Sequence, residues 1–414
     1  MGNKKSMNIR KPEVLAPAGD WERFQFALQY GADAIYLGGK QFTMRAAPAN
    51  FTAEQLAAAV QLAHAKGVKV YLTCNTLPHN ADLPQFLPYL REMAETGIDA
   101  VIVADLGLLA LIRKALPDLE IHMSTQMGIV NYETANALYD LGVKRVVLAR
   151  ELSLEEIAEI RAKTPADLEL EAFVHGAMCV SFSGRCLLSA YLTGRDANQG
   201  ACAQPCRWKY RLMEETRPGQ YFPVEEHDEG TYIMNAKDLC MIDHIPELLA
   251  AGVDSLKLEG RAKSSYYVAV VTNAYRSAVD AYLQQPEGFV LPEWIREEVY
   301  KVSHRGYCTG FFFGKPEAGQ RYTDNSYDRS FDVIAIADDW RDGMLYVTQR
   351  NRFFAEDTVE LLAPERQPIS IPLNGNLFDE TGERITVANH AMMACAFPYP
   401  VEVPKGTIVR KRAE

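Results

Sequence analysis

The sequence predicts an α/β fold, a (β/α)8 TIM-like barrel with a cysteine-rich insertion and a small C-terminal all-β domain. From Val14 to about Val174, a unit recurs that consists of a short apolar run, a polar turn and a segment with helical spacing. Cysteines concentrate directly after the seventh such run, and helical spacing stops beyond Pro316. Apolar strands that alternate with helices are typical of a parallel sheet covered by helices.

Nine strands are candidates for the eight places of a closed barrel, so one must lie outside the barrel or cap it. An open doubly wound sheet is the alternative, but the first strand-to-helix turn lacks the glycine-rich dinucleotide fingerprint. A helix from about Ser264 to Leu283 follows the last candidate. The nine candidates are Val14–Gly19, Ala34–Gly39, Lys69–Asn75, Ala100–Asp105, Glu120–Thr125, Arg145–Arg150, Leu168–Val174, Thr231–Ala236 and Asp254–Gly260.

Two domains are predicted, a barrel over 1–316 and a β-barrel-like domain over 317–414. The cysteine-rich loop, at about 179–230, follows the seventh strand on the side where barrel active sites form. Alternating residues in the second half of that loop predict a hairpin. The C-terminal domain shows short strand patterns separated by Asp-Gly and Asn-Gly turns. The hairpin strands are Arg207–Met213 and Gln220–Val224, and the C-terminal runs are Phe331–Ile336, Met344–Thr348 and Thr358–Leu362.

Composition excludes several classes of protein. The 414 residues carry a net charge of −11 and contain no apolar stretch near the roughly 18 to 20 residues of a membrane helix. The amino terminus has no apolar segment of signal-peptide type, so we expect a cytoplasmic protein with reduced thiols. No phosphate loop, HExxH motif or GxSxG elbow is present, which argues against an ATPase, a zincin and an α/β-hydrolase.

Five of the eight cysteines lie in or near the insertion. Structural zinc usually takes paired CxxC knuckles, which these spacings lack. A 4Fe-4S cluster also takes four thiolates, and its ligands need not be paired. A cysteine nucleophile with His175 as its base, or inert buried thiols, would leave most of the concentration unexplained. The five are Cys179, Cys186, Cys202, Cys206 and Cys240, while Cys74, Cys308 and Cys395 are expected to be ordinary buried thiols.

The run Glu171–Ser189 resembles the signature of the collagenase-like peptidase family of unknown catalytic type. Four further blocks, Leu15–Asp20, Ala34–Gly38, Asn235–Cys240 and Lys257–Arg261, are similar to other characteristic blocks of that family. Within it, the chain is most similar to the members linked to prephenate-dependent formation of 5-hydroxyuridine at the tRNA wobble position. Related members hydroxylate a ribosomal RNA cytidine or ubiquinone precursors, and others are regarded as collagenases. The resemblance implies a tRNA uridine 5-hydroxylase with a 4Fe-4S cluster, and a collagenase-like peptidase is the alternative.

Carried over residue by residue, the resemblance gives Cys179, Cys186, Cys202 and Cys240 as cluster ligands. Cys206 is the alternative to Cys202, because family members differ over which cysteine of such a CxxxC pair is the ligand. Thiolates bound to iron are not free to attack an amide, so the cluster disfavours the peptidase alternative.

Prephenate carries two carboxylates, so its site should contain fixed cations, and arginine is preferred for bidentate pairing. Arg150, Lys257 and Arg261 lie at predicted strand ends and are the candidates for binding it. His175 and His122 are weaker candidates for proton transfer, because a lone strand histidine is often a satisfied core residue. Arg185 and Arg207, beside the cysteines, and Asn75 and Gln126, at strand ends, complete the candidate set.

A tRNA partner requires local cations rather than a basic chain. Arg207–Arg211 offers three cations interleaved with Trp208 and Tyr210, a pattern that suits backbone contacts and base stacking. If that segment is a strand, the aromatic side chains share one face and can equally belong to the core. A second candidate contact is the basic stretch Lys405–Arg412.

Overall fold

A computed structural model describes residues 10–44, 49–179, 181–182, 185–208, 237–314 and 330–413. Seven parallel strands alternate with six helices in its first part, as the repeating unit predicts. These elements are β1 (Glu13–Ala18), α1 (Trp21–Gln29), β2 (Ala34–Gly38), α2 (Ala53–His64), β3 (Lys69–Cys74), α3 (Leu83–Ala94), β4 (Ala100–Val103), α4 (Leu106–Ala115), β5 (Glu120–Met123), α5 (Tyr132–Asp140), β6 (Arg145–Val147), α6 (Leu154–Ala162) and β7 (Glu169–Ala177).

The eighth barrel strand comes later in the chain. The elements that follow are α7 (Leu188–Thr193), β8 (Asp238–Cys240), α8 (Ile245–Ala250), β9 (Ser255–Leu258), α9 (Ser265–Gln284), α10 (Glu293–Tyr300) and β10 (Tyr307–Cys308). Strand β9 pairs in parallel with both β7 and β1 and so closes the ring. The predicted (β/α)8 barrel is therefore confirmed, and the candidate at Asp254–Gly260 supplies its last strand.

The strand that lies outside the barrel is β8. It pairs antiparallel with the last residues of β7, with Cys240 opposite His175, and β10 adds to it in parallel. The candidate Thr231–Ala236, just before β8, lies outside the described residues. Strands β8 and β10 therefore extend the sheet beyond the barrel wall at the end where β7 leads into the cysteine-rich insertion.

Capping side chains fix the residues at which helices α2 and α6 begin. In α2, the Thr52 hydroxyl accepts from the backbone N–H of Gln55 at 3.3 Å, and the Gln55 side chain accepts from Thr52 N–H at 3.1 Å. Ser153 and Glu156 form the same capping box at α6. Such boxes satisfy N–H groups that the first helical turn leaves without partners.

The barrel has two cores. The outer core is an extended apolar cluster between the strands and the surrounding helices. The inner core fills the lumen of the barrel and has an apolar side and a charged side. Its β1–β4 side carries a small apolar cluster around Leu15, Tyr36, Tyr71 and Ile102. Its other side carries charges, although the strands there were predicted to be nearly continuous apolar runs.

Arg145 is the centre of this charged network and is only 2% exposed. Its guanidinium donates to Glu13 at 2.6 and 3.2 Å, to Glu169 at 2.6 and 2.8 Å, and to Glu171 at 3.1 Å. Burial alone would raise the pKa of Glu13 above 4.5. The charge of Arg145 and the hydrogen bonds from Arg145, Tyr71 and Ser255 nevertheless hold that pKa at about 2.

The C-terminal domain is antiparallel and all-β, which confirms that part of the predicted fold. Its strands form a seven-stranded sheet in the order β15-β14-β19-β11-β12-β18-β16 and a two-stranded sheet of β13 and β17. Asp342 and Gly343, both at positive φ, make the predicted tight turn between β11 and β12. The predicted boundary at 316/317 lies outside the described residues. The strands are β11 (Phe331–Arg341), β12 (Met344–Gln349), β13 (Phe353–Phe354), β14 (Thr358–Leu362), β15 (Ile369–Pro372), β16 (Phe378–Asp379), β17 (Val387–Ala388), β18 (Ala394–Pro398) and β19 (Ile408–Arg412).

The C-terminal domain docks on the barrel through polar groups buried among apolar ones. Arg410 is fully buried and donates to Glu298 at 2.6 and 2.8 Å and to Glu360 at 2.7 and 3.0 Å. Tyr30 of α1 donates to the carbonyl of Leu362 at 2.8 Å and accepts from the N–H of Ile408 at 3.3 Å. Among the described residues, no helix combines the length and the apolarity that crossing a membrane requires.

Candidate functional site at the mouth of the barrel

The carboxyl ends of the barrel strands form a mouth that the insertion after β7 covers. Here "the cover" means the described residues from Cys179 to Trp208. The N–H of Leu77, after β3, donates to the carbonyl of Asn198 at 3.2 Å, and the Gln199 side chain donates to the Leu77 carbonyl. Phe182 lies against Gly128, after β5. The cover thus crosses from β7 to the far side of the barrel, over the end where barrel active sites form.

Arg261 follows β9 and reaches across the mouth. It is 3% exposed, and its guanidinium donates to the hydroxyls of Thr43 at 2.6 Å and Thr73 at 3.2 Å and to the Asn50 side chain at 2.6 Å. A Cβ at Gly38 would collide with this guanidinium, so glycine at the end of β2 lets the arginine lie close to the strand. These three hydrogen bonds fix the arginine over the strand ends.

Arg150 and Lys257 flank the buried ring of Phe173. The Arg150 guanidinium carbon lies 3.9 Å from the ring centroid, and the Lys257 ammonium nitrogen lies 5.3 Å from it. Arg150 donates to the carbonyl of Ala177 at 3.1 Å, and its buried Nε makes no hydrogen bond. Lys257 instead donates to Glu171 at 2.5 Å. Of the two cations, Lys257 is balanced by a carboxylate and Arg150 contacts an aromatic face.

Gln126 lies just after β5 and is 4% exposed, and neither polar atom of its amide makes a hydrogen bond. A buried amide whose two groups make no hydrogen bond to the protein is able to bind a polar group of a ligand in the mouth. Asn75, by contrast, has a structural partner, because its side-chain oxygen accepts from the backbone N–H of Met44 at 3.3 Å.

His175 lies opposite Cys240 in the pairing of β7 with β8, and its ring is surrounded by tyrosines. A bulge in the pairing of β7 with β9 separates it from Phe173, and its ring lies among Tyr267, Tyr275 and Tyr307 at centroid distances of 5.2 to 6.0 Å. Its Nε2 lies 3.5 Å from the Tyr307 hydroxyl, and burial lowers its pKa to about 3. The hydrogen-bond partner of the His175 ring is therefore a tyrosine hydroxyl and not a cysteine thiol.

His122 belongs to the charged network in the lumen. Its Nε2 lies 2.8 Å from a carboxylate oxygen of Glu120, and its ring packs edge-on against Tyr71 at 4.7 Å. Burial and the nearby charge of Arg145 lower its pKa. The role of either histidine in proton transfer stays a prediction, and neither ring lines the mouth beside Arg261.

Three of the predicted cluster cysteines surround α7. Cys186 precedes the helix, and its backbone N–H and carbonyl bond to the Asn198 side chain at 3.3 and 3.2 Å. Cys202 is tied to the same helix because the next residue, Ala203, donates to the Ser189 hydroxyl at 2.9 Å. Cys206 lies in a turn that packs on α7.

Cys179 and Cys240 lie at the end of the barrel wall. Cys179 is exposed just beyond β7, and Cys240 is on β8, where burial raises its thiol pKa to about 12. Cys308, expected to be an isolated thiol, lies on the neighbouring strand β10, close enough to influence Cys240 electrostatically. Its place could not be foreseen, because no sequence pattern predicts that β10 pairs with β8.

The cysteines fit a 4Fe-4S cluster in chemistry and in number, but not in arrangement. Five thiols lie on segments that share one end of the barrel, and thiolates are the ligands such a cluster requires. Within the described ranges, however, no group of three or more His, Cys, Asp or Glu side chains is placed to hold a metal ion. These residues therefore do not form a preassembled metal site, and we derive no chemical step through a cluster.

The two predicted RNA contacts have different surroundings. Lys209–Arg211 lies outside the described residues, and Trp208 follows a 3-10 turn rather than a strand and is 45% exposed. In the stretch Lys405–Arg412, Arg410 is buried in the domain interface and Lys411 pairs with Asp357 at 3.0 Å. Two cations of that basic stretch are therefore occupied by carboxylates.

Comparison with known proteins gives relatives along nearly the whole chain. The chain is 37% identical over 413 residues to tRNA hydroxylation protein P1 of Bacillus subtilis, covering 99% of this chain and 97% of that protein. It is 37% identical over 404 residues to tRNA hydroxylation protein P of Escherichia coli, covering 86% and 87%. It is also 34% identical over 320 residues to a protein of Porphyromonas gingivalis named Collagenase, covering 75% of each.

Family models agree with the two-domain architecture. Residues 19–322 match the model of peptidase family U32, and residues 329–410 match that of the peptidase family U32 C-terminal domain. The resemblance expected from the motif at Glu171–Ser189 is therefore confirmed, and the chain belongs to peptidase family U32.

Proposed function

We propose that this protein acts in tRNA modification, as an enzyme that forms 5-hydroxyuridine at the wobble position in a prephenate-dependent reaction in the cytoplasm. The observation that carries the proposal is the near full-length similarity to proteins named for tRNA hydroxylation. Because that similarity covers both domains, the proposal assigns the whole chain, rather than the barrel alone, to this reaction.

The mouth of the barrel is the proposed binding site for prephenate. Arg150 and Arg261 are fixed there, one against Phe173 and the other by hydrogen bonds to neutral side chains. Fixed guanidinium groups pair well with carboxylates, and binding in a partly dry site strengthens such pairs. We assign Lys257 a supporting role, because Glu171 already balances its charge.

We assign the 4Fe-4S cluster of this reaction to Cys179, Cys186, Cys202 and Cys240, with Cys206 as the alternative to Cys202. Support comes from the donor chemistry and from the placement of all five thiols at the mouth end of the barrel. When bound, such a cluster supplies electron transfer or a site for an oxygen donor. Assembly would require the segments around α7 and the end of β7 to approach one another and their thiols to lose protons.

A collagenase-like peptidase is the alternative function, and one relative bears the name Collagenase. A cysteine peptidase needs a thiol within hydrogen-bond reach of a base. His175 instead contacts three tyrosines, and its low pKa makes it a poor proton acceptor at neutral pH. This geometry favours the tRNA function over the peptidase function.

Nucleoside analysis of tRNA from a deletion strain tests the proposal. We expect 5-hydroxyuridine derivatives to disappear and to return when the wild-type chain is supplied. Arg261→Gln should fail to restore them, because it removes a fixed cation from the mouth. Arg10→Gln is the control, since Arg10 is an exposed arginine at the opposite end of the barrel. Unchanged tRNA in the deletion strain, or gelatin cleavage by iron-free protein, would contradict the proposal.

The cluster assignment has its own experiment. Protein purified without oxygen should be brown and contain about four irons per chain. Cys179→Ser, Cys186→Ser and Cys240→Ser should each lose most of the iron. Cys74→Ser, at a thiol buried in the apolar layer between strands and helices, and Cys395→Ser, in the C-terminal domain, should retain it. Cys202→Ser and Cys206→Ser form the deciding pair, because only the variant at the true ligand should lose iron. Full iron content in all of these variants would refute the assignment.

A further inference from the structure

The cover carries an unusual concentration of exposed apolar side chains. Five of the sixteen exposed large hydrophobic side chains in the described part of the molecule lie between Phe182 and Trp208. Tyr191 is 87% exposed, and Phe182 and Trp208 are 52% and 45% exposed. Leu187 and Leu192 accompany them, on or beside the same short helix α7. Clusters of this kind on a soluble surface usually mark an interaction site.

The charge of this surface is opposite to that of the whole chain. The net charge of the protein is −11, yet the segment between Phe182 and Trp208 contains three arginines and a single acidic residue, Asp196. Arg185 and Arg195 are exposed, and neither forms an ion pair with another described residue. The Asp196 carboxylate accepts from the Asn198 N–H at 2.7 Å and thus caps a local turn. The cover is therefore a locally cationic surface on an acidic protein.

We propose that this surface, comprising Phe182, Tyr191, Trp208, Arg185 and Arg195, binds single-stranded RNA in the loop that presents the target uridine. Aromatic rings with exposed faces stack on unpaired bases, and the arginines contact the adjacent phosphates. Protein interfaces are also rich in aromatic residues and arginine, so composition alone does not select the ligand. RNA is favoured because a locally cationic surface on an acidic chain suits a polyanion, and because the cover lies over the mouth where the proposed tRNA substrate must be held.

The inference rests on the proposed tRNA function and specifies how that substrate is held. A uridine in an anticodon loop is already unpaired, so little energy is needed to turn it toward the mouth. The cover lies directly above Arg261 and Gln126, because it contacts the ends of β3 and β5. Bases that stack on the cover would keep the neighbouring uridine at the mouth while the reaction proceeds.

Binding of a fluorescein-labelled anticodon stem-loop RNA to the full chain, followed by anisotropy, tests this surface. Tyr191→Ala and Trp208→Ala should each weaken binding by about 5- to 150-fold, the range expected for loss of one stacked base. Tyr191→Phe should bind like the wild type, since it retains the ring. Phe354→Ala, at an exposed aromatic residue of the C-terminal domain, is the control and should change nothing.

Salt dependence separates the charged contacts from the stacking contacts. Arg195→Gln should reduce the slope of log affinity against log salt concentration by about 0.7, whereas Tyr191→Ala should leave that slope unchanged. Unaltered binding in both alanine variants would overturn the proposal. So would wild-type dimers in sedimentation that Tyr191→Ala converts to monomers, because the surface would then be a contact between copies.

The RNA-binding measurements and the deletion strain together separate a failure of the surface assignment from a failure of the proposed function. If the deletion strain loses hydroxylated tRNA but the alanine variants bind RNA normally, the function stands and the surface assignment fails. If the variants lose binding but the deletion strain retains its hydroxylated tRNA, the surface binds RNA for another purpose and the proposed function fails.

Discussion

Replacing Arg145 with methionine should destabilise the barrel by about 3–5 kcal/mol at neutral pH, because three carboxylates would lose their shared partner in the lumen. The structure gives an independent magnitude. Glu13 is held at a pKa of about 2 instead of 4.5, and its side chain is only 14% exposed. At about 1.4 kcal/mol for each pH unit, that difference corresponds to about 3 kcal/mol, and Arg145 is its main favourable source.

The sign of the pH dependence follows from the same shift. The folded-state pKa of Glu13 is lowered, so its contribution is present above about pH 4.5 and disappears as the pH falls from there to about 2. In Arg145→Met, burial would dominate and raise the pKa of Glu13, so acid would favour the folded variant. The stability difference between wild type and variant should therefore shrink on acidification.

Urea unfolding followed by circular dichroism, at neutral pH and at pH about 3, measures both effects. Arg10→Met is the matched control, because Arg10 also pairs with Glu169 but its side chain is 66% exposed. The free energy of unfolding of that control should fall by less than about 1 kcal/mol. This account of the lumen would be refuted if Arg145→Met lowered the free energy of unfolding by less than about 1 kcal/mol. It would also be refuted if the stability difference between wild type and Arg145→Met stayed constant with pH.

Three further predictions concern packing. Arg410→Met should leave Glu298 buried without its main partner and weaken the docking of the C-terminal domain on the barrel by about 3–5 kcal/mol. In calorimetry the C-terminal domain should then unfold in a transition of its own, and a single unchanged transition would contradict this. Gly38→Ala should cost about 1–3 kcal/mol and lower the melting temperature, because its Cβ would displace the Arg261 guanidinium. Tyr30→Phe should cost about 1 kcal/mol in urea unfolding through loss of its buried hydrogen bonds between the domains, and no change would show that water replaces the hydroxyl.

The barrel could be predicted because its strands are buried on both faces. Burial on both faces gives nearly continuous apolar runs, and glycines such as Gly31 and Gly142 end the preceding helices in left-handed geometry. The exception, β8, could not be identified in advance. A short segment that pairs at the edge of β7 has the same strand-like composition as one inside a barrel, and only the long-range pairing distinguishes them.

The candidate site was predictable in position but not in its contacts. Arg150 and Arg261 were chosen because they follow strands, and both lie at the mouth. The carboxylate partner of Lys257 is Glu171 on another strand, which the residues around Lys257 do not indicate. Pairing across a barrel depends on strand register, which the residue pattern does not contain.

His175 shows the same limit more sharply. Strand alternation would place it on the same face as Phe173, but the bulge between them turns its ring into the tyrosine cluster outside the lumen. A bulge inserts one residue without a clear sequence mark. Of the aromatic residues in the proposed RNA-binding surface, the sequence pattern singled out Trp208 alone, since exposed aromatic side chains cannot be distinguished from buried ones by sequence spacing.

The way the ring closes also determines the order in which the protein can fold during synthesis. Ser255 of the last barrel strand bonds to Glu13 of the first, 242 residues earlier in the chain. Until β9 has left the ribosome, β1 and β7 are open sheet edges, and contacts this distant in sequence form slowly. The whole cysteine-rich segment is therefore synthesised before the barrel closes beneath it. Nascent chains that stop short of β9 should be sensitive to proteases and prone to edge-to-edge aggregation, and chains extended past it should become resistant.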